Sequence, residues 1–412
     1  PAPGDAPTAP APPRVPGHPP DSQTKTAADR VATIARMPEL DRTVAILGSG
    51  HAVPDRRVTN AELKTLISGY DEESGDFATW VDRVTHIQER RFSDTSEDGV
   101  HVLGLAASRQ ALESSGVDPR ESAHPMLWSF TVHDLDPGVH SSLVRDLELQ
   151  CGSFICTVAC SGSLWGITLA RSLVQSGQCR NVLVVGVECM SRTLNFNDPL
   201  TAIIFGDAAG AVVVGRKNAD APGGFLGRTV WASEYSPDTI QMLNNNSPND
   251  CRQSADQETH QERHMVRMGG GPRVLRNAVT KMAECVAEVL GHTPDDLKAN
   301  APALREQLAR ARVIPHQANG RILDGLESKL GLAREQLFRT IYVYGNSSAA
   351  TNLLTYDYGV RVGNMWREPP ADGTDGMGTV VPCGGRIERG DLVVMTAIGA
   401  GYQYGAVAFE QA

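Results

Sequence analysis

Apolar residues in this chain gather into short unbroken runs. TVAILGSG (43–50), MLWSFTV (126–132), VLVVGVE (182–188), AGAVVVG (209–215), VIPHQA (313–318) and LVVMTAIGAG (392–401) are of this kind. A strand covered on both faces buries both of its alternating side-chain sets, so these runs predict buried strands. Between them the spacing turns helical. Val102, Leu105, Ala106, Ala111 and Leu112 predict one helix, and Leu164 to Val174 a second. Leu275, Val279, Met282, Val286 and Val289, three and four apart, draw an apolar stripe on a third. Strand and amphipathic helix in alternation predict an α/β architecture in which helices cover sheets.

The alternation runs twice. The first passage spans about 41–217 and closes on AGAVVVG. The second half, about 218–412, opens with a polar stretch to about 262 (LNNNSPND, DQETHQE) and then repeats helix and strand. The two halves share no strong sequence similarity. Residues 361–386, rich in Gly and Pro, predict a surface insertion. Nine of the 25 prolines fall in the first 20 residues, so residues 1–40 predict an extended or disordered tail.

Composition narrows the classes. With 412 residues the chain accommodates two or three domains, or one two-lobed unit. Hydrophobic residues at 41% and charged residues at 21% exclude wholesale disorder. Lys and Arg number 38 against 48 acidic residues, a formal charge of -10, which argues against a general binder of nucleic acid or anionic membrane. A local basic patch for a phosphate remains compatible. No run approaches the roughly 18 apolar residues of a membrane span. The opening residues lack a secretory pattern, so the expected location is cytoplasmic. The eight cysteines form no C-x-x-C pair and no cluster with His, and several lie in apolar runs. That usage fits reduced, buried thiols, with room for one disulfide.

Three segments carry candidate chemistry. In FICTVACSGSLWGITLARSLVQSG (154–177), Cys160 follows a strand-like run and precedes Ser161, Gly162 and Ser163, where a helical pattern begins. A thiol at a helix N-terminus faces free N–H groups that favour a thiolate and can donate to an oxyanion. The plain alternative is a buried structural cysteine. In VIPHQANGRI (313–322), His316 stands at the C-terminal end of a strand, with Gln317 and Asn319 behind it. Active sites of α/β proteins collect residues there, though a satisfied core histidine fits too. In YVYGNSSAATNLL (342–354), Asn346 lies between a strand-like segment and a helix, as a candidate donor or a simple turn or cap residue. Together the three supply a nucleophile and two hydrogen-bond donors for a thioester oxygen. There is no H-E-x-x-H, and GSGHAVP after TVAIL lacks the third Gly of a dinucleotide fingerprint.

In order along the chain, CSG (160–162), FGDAAGAVVV (205–214), PHQAN (315–319), YGNSSAA (344–350) and GAGYQYGA (399–406) resemble the β-ketoacyl-[acyl-carrier-protein] synthase III family of the thiolase superfamily. VTNAEL (58–63), HIQERR (86–91) and VRMGGGPRVLRNAV (266–279) extend the likeness over about 43–412. The resemblance implies a five-layered αβαβα thiolase fold with two similar halves, normally a homodimer. It implies Cys160 as acyl-accepting nucleophile, His316 and Asn346 as its partners, and an oxyanion hole of the backbone N–H groups of Cys160 and Ala400. Gly206, Asp207 and Gly210 are implied as structural, at the floor of the site and the dimer edge. The substrate is implied to be an acyl thioester of coenzyme A or of an acyl carrier protein, with no metal or organic cofactor.

The chain departs from the family pattern around the nucleotide and the acyl group. Trp80 occupies the adenine-stacking place, or is a core residue. Val84 stands where an Arg is usual, with Arg83 one residue early; Pro199 and Pro272 replace a second Arg and an Asn. Arg273, Arg276 and Arg321 beside the motifs suit a phosphate or an acidic carrier, or form an ordinary solvated face. Ser163 and Ile398 replace aromatic residues, and HDLDP (133–137) is polar where a partner-subunit aromatic borders the acyl tunnel. Smaller, more polar walls point to a specialised-metabolite enzyme. Three functions compete: condensation of an acyl group with a malonyl-type thioester with loss of carbon dioxide, acyl transfer to an alcohol or amine, and a catalytically silent partner subunit.

Overall fold

The apolar runs become the strands of two sheets. In this computed structural model the described residues are 42–412 except 72, 74, 95–98, 122, 130, 132–137, 219, 235–239, 242–264, 269–270 and 369–377. The expected tail, the centre of the polar stretch and HDLDP therefore lie outside the described residues. β1 (Val44–Ala52), β2 (Ala123–Trp128), β3 (Phe154–Cys156), β4 (Asn181–Cys189) and β5 (Asp207–Arg216) pair in the order β1-β5-β4-β2-β3. β6 (Gly224–Ser233), β7 (Ala311–Pro315), β8 (Leu392–Gly399) and β9 (Gln403–Glu410) pair in the order β7-β8-β9-β6. Pairing is mixed: β4, β2 and β3 run parallel, as do β7 and β8, whereas β5 and β9 are antiparallel to both neighbours.

Six helices complete the frame: α1 (Phe77–Thr85), α2 (Gly99–Ser115), α3 (Gly162–Gln175), α4 (Gly271–Val289), α5 (Gly320–Leu330) and α6 (Thr351–Arg361). α3 and α6 lie between the sheets and touch both, α2 covers the outer face of the first sheet, and α4, backed by α5, covers the second. The result is the five-layered αβαβα arrangement. Strand alternation explains it residue by residue. Val182, Val184, Val212 and Val214 point inward with Val393, Met395 and Phe409 onto Leu164, Ile167, Leu353 and Tyr356. Leu183, Val185, Ala211 and Val213 point outward onto Leu103, Ala107 and Ala111. Both side-chain sets are buried, so the runs contain few polar residues.

Glycine permits the close approach of α6 to the first sheet. A Cβ on Gly210 would stand 2.5 Å from the Leu354 nitrogen and 2.6 Å from the Leu353 Cβ. Backbone cannot yield there cheaply, so Gly210→Ala is expected to destabilise the protein by at least about 2 kcal/mol, measured by urea denaturation.

Two local expectations are corrected. Val102 does not face the core: it is 45% exposed, and the buried stripe of α2 is Val100, Leu103, Ala107, Ala111 and Leu112. The segment before Asn346 is a helical turn, Ile341–Tyr344, rather than a strand. β5, which carries the FGDAAGA segment, lies between β1 and β4. The 361–386 segment predicted as a surface insertion is joined to the body at its base, where Asn364–Glu368 pairs with Thr379–Gly384. The buried Asn364 donates to the Leu337 carbonyl at 2.9 Å, and Arg367 pairs with the buried Asp82 of α1. The described cysteines are all free thiols.

Candidate active site

Cys160 sits in a 3-10 turn, Ala159–Ser161, that joins the segment after β3 to α3. Ala159 adopts φ 49°, a left-handed conformation uncommon for a residue with a side chain. Such strain persists where the surroundings enforce it. Gly399 presses against this turn: a Cβ there would lie 3.2 Å from the Cys160 nitrogen and 3.0 Å from that of Ser161. The next residue, Ala400, opens its own 3-10 turn. Cys160 is buried, with 6% of its surface exposed. Burial pushes its thiol up to about 11, a hydrogen bond with Ser348 opposes this, and the Glu188 charge adds to it. The helix start was expected to favour a thiolate. Desolvation wins, and the resting group is a thiol.

His316 directly follows β7, and its N–H continues the β7–β8 ladder by donating to the Thr396 carbonyl at 2.8 Å. The ring is buried, and its Nδ1 lies 2.6 Å from the Thr351 hydroxyl. That hydroxyl also reaches the Ser348 carbonyl at 3.0 Å. If it donates to Ser348, Nδ1 carries the imidazole proton and Nε2 is bare; if it donates to Nδ1, Nε2 carries the proton. Burial lowers the His316 pKa to about 3, so both forms are neutral at ordinary pH. The unfolded chain binds a proton near pH 6.5 that the folded state refuses until about pH 3. The stability that neutral His316 contributes is complete above pH 6.5 and lost as pH falls toward 3. Relative to a His316→Asn variant, the protein is expected to lose stability as pH falls from 6 to 4, by on the order of 1 kcal/mol per pH unit, read from paired denaturation curves.

Asn346 is gripped by the start of the FGDAAGA segment. Its N–H donates to the Ile204 carbonyl at 2.9 Å, and its own carbonyl accepts from Gly206 at 3.1 Å. A Cβ on Gly206 would collide with the Tyr344 carbonyl at 2.4 Å, so glycine is required for this approach. The buried Asn346 side chain accepts from the Ser348 N–H through Oδ1 at 2.8 Å, while Nδ2 reaches the Ala318 carbonyl at 3.4 Å. Ser348 thus touches the Cys160 thiol, holds Asn346, and meets Thr351 on His316. Three segments distant in sequence converge on this residue. Asp207 accepts hydrogen bonds from Ser93 and Ser191 and fastens neighbouring turns, a structural role.

A profile of 3-oxoacyl-[acyl-carrier-protein] synthase III matches residues 154–234, and its C-terminal counterpart matches 309–368. The β-ketoacyl-[acyl-carrier-protein] synthase III of Erythrobacter litoralis is 33% identical over 88% of this chain and 97% of its own length. The chain belongs to the 3-oxoacyl-[acyl-carrier-protein] synthase III family. The family relative from Sphingopyxis alaskensis is 31% identical over 89% of this chain and 98% of its own. The crystal structure of a priming β-ketosynthase from the R1128 polyketide pathway superposes with a TM-score of 0.70 at 30% identity, covering 91% of this chain and 98% of that one. The family's thiolase fold is the fold of this protein.

The other expected site residues of this synthase III family member fall into two groups. Trp80 lies on α1 in ring contact with Tyr70 and Phe77, centroids 5.0 and 5.7 Å apart, packed with the partly buried Val84. Asn319 caps α5 by accepting from the Arg321 N–H at 2.8 Å and donates to the Val84 carbonyl at 3.2 Å. The Arg321 guanidinium donates to the Arg83 carbonyl at 2.8 Å. The end of α1 is therefore fastened to the start of α5. Arg276 is exposed on α4, against which α5 packs, and Arg273 is exposed on the same helix. Ser163 and Ile398 are buried, and the Ser163 hydroxyl has no hydrogen-bond partner among the described residues. Sequence reading missed Glu188, Ser348 and Thr351. A lone carboxylate in the otherwise apolar VLVVGVE run was the available signal for Glu188; the other two look like ordinary helix-start residues.

Proposed function

We propose that the protein is a ketosynthase III-type acyltransferase that builds carbon–carbon bonds in fatty-acid or polyketide-type biosynthesis. The supporting observation is the convergence of Cys160, His316 and Asn346 around Ser348. An acyl thioester of coenzyme A or of an acyl carrier protein transfers its acyl group to the Cys160 sulfur. Its thiol departs with the Cys160 proton, and the backbone N–H groups of Cys160 and Ala400 hold the intermediate oxyanion. A malonyl-type thioester follows. Nδ2 of Asn346 and the Nε2–H form of His316 donate to its thioester oxygen as carbon dioxide leaves. The enolate carbon then attacks the acyl-Cys160 carbonyl, expelling the thiolate, which regains a proton. Neutral His316 suits this role, because an imidazolium beside the thioester would have to be desolvated. No metal or organic cofactor enters these steps.

Trp80, Asn319, Arg321, Arg273 and Arg276 are assigned to the phosphopantetheine carrier, with Arg321 and Arg276 meeting its phosphate or an acidic carrier surface. Buried Ser163 and Ile398 border the acyl group. The enzyme acts as a homodimer in the cytoplasm, a second copy covering the edge strand β3, whose Phe154 is 39% exposed; sedimentation at micromolar concentration tests the dimer. Among the described residues no helix is long and apolar enough to cross a membrane.

Incubation with an acyl donor and malonyl thioester labelled in the free carboxyl tests the reaction. Label released as carbon dioxide, with acyl-Cys160 consumed, supports condensation. Acyl-Cys160 discharged only by an alcohol or amine, with the label retained, overturns it in favour of oxygen or nitrogen acylation.

A further inference from the structure

The three catalytic candidates come from separate segments, and each is one hydrogen bond or two from Ser348. The Ser348 N–H donates to Asn346 Oδ1 at 2.8 Å, and its carbonyl faces the Thr351 hydroxyl at 3.0 Å, which lies 2.6 Å from His316 Nδ1. Backbone, not side chain, makes these links, and Ser348 holds it at φ 47°, in the left-handed region. Serine is not a residue that rests there by preference. Its hydroxyl donates to Glu188 Oε1 at 3.2 Å. Glu188 is fully buried at the end of β4, and its other oxygen accepts from Ser129 Oγ at 3.1 Å, Thr131 N at 3.2 Å and Thr131 Oγ1 at 2.8 Å. Gly186 lets this strand end approach the 348–350 turn: a Cβ there would lie 2.4 Å from the Ala349 carbonyl oxygen.

A buried carboxylate is costly unless its oxygens are satisfied. This one is satisfied by a cradle that opens toward Ser348, and none of the steps above uses it. We propose that Ser348, anchored on Glu188, is a positioning residue that aims the Asn346 carboxamide and the His316 ring together. The inference rests on the condensation reading and adds to it. Glu188 forms no bond with substrate; it fixes a strained backbone whose N–H and carbonyl set the two donors.

The test pairs Ser348→Ala with Ser348→Gly. Alanine removes the anchor and keeps the strain; glycine removes both. Cys160 acylation is followed by intact-protein mass spectrometry, and carbon dioxide release from malonyl thioester by steady-state kinetics. Both variants are expected to reach acyl occupancy, more slowly because the hydroxyl beside the Cys160 thiol is gone, yet lose roughly 10- to 100-fold in kcat for release from the acylated enzyme, with KM within about threefold, as misaimed donors would cause. Glu188→Gln, which retains an acceptor for the Ser348 hydroxyl, is expected to keep more activity than Ser348→Ala. Release at the parental kcat by either Ser348 variant overturns the proposal. So does a loss that merely parallels a fall in Tm and in acyl occupancy. If the parent acylates but releases no carbon dioxide, the condensation reading fails instead. The positioning role is then decided on acyl transfer to an alcohol or amine, which Ser348→Ala must still slow about tenfold.

Discussion

Cys160→Ala is expected to leave the protein folded and unable to carry an acyl group. Parent protein mixed with a panel of acyl thioesters should gain the mass of one acyl chain on the peptide containing Cys160. The alanine variant should gain none, and turnover should fall on the order of 10⁴-fold or more, since a lost nucleophile has no substitute. The other described cysteines give a built-in control. Burial raises Cys189 to about 12, and its sulfur contacts the Ser93 hydroxyl. Cys151, at about 11, is raised by burial and by the neighbouring Cys179. These thiols are no more acidic than Cys160, so reactivity must come from position. The turn at Ala159–Ser161 brings the Cys160 thiol to Ser348 and sets its own backbone against Gly399. Stability offers a check, because removing one buried sulfur in a turn costs far less than opening the α3 core. An acyl adduct on Cys160→Ala at another cysteine would sink the assignment. Absence of any adduct on the parent, whatever the donor, would favour a silent subunit.

Most of the fold was legible because it is written in period. Runs such as VLVVGVE carry both faces of a strand in one apolar string, and α4 carries its stripe at Leu275, Val279 and Met282. Where a helix is covered unevenly the stripe misleads: Val102 is apolar and faces outward, while Gly99 and Gly104 lie on the buried side. The candidate site was legible for a different reason. Cys160, His316 and Asn346 stand at strand or helix ends with small neighbours, positions that backbone geometry reserves for function. What stayed hidden were the residues that act through others. Glu188 reads as one polar residue closing a strand, and its meaning appears only when Gly186 brings β4 to the Ser348 turn. Nor could spacing reveal that burial would outweigh the helix start at Cys160, because desolvation depends on what the rest of the chain stacks over the sulfur.

Asn346→Asp is expected to separate the two halves of the reaction. The substitution preserves shape: the Ser348 N–H still has an oxygen to donate to, as at 2.8 Å in the parent, and the backbone bonds to Ile204 and Gly206 are untouched. What changes is the other arm of the side chain. Nδ2 donates; a carboxylate oxygen only accepts, and it places negative charge where the enolate oxygen must form. Loss of one such donor costs about 2.7 to 4 kcal/mol, so carbon dioxide release should fall by roughly 10²- to 10³-fold. Transfer of the first acyl group uses the backbone donors at Cys160 and Ala400, so single-turnover acylation should stay within about tenfold of the parent. Because KM reports ground-state binding, it should change less than kcat. Asn346→Asp is thus expected to accumulate acyl-Cys160 in the presence of malonyl thioester, seen as a persistent mass shift that the parent discharges. Parental release of carbon dioxide by this variant would mean that the carboxamide is a turn residue after all, held by Ser348 for the sake of the fold and not for the thioester oxygen.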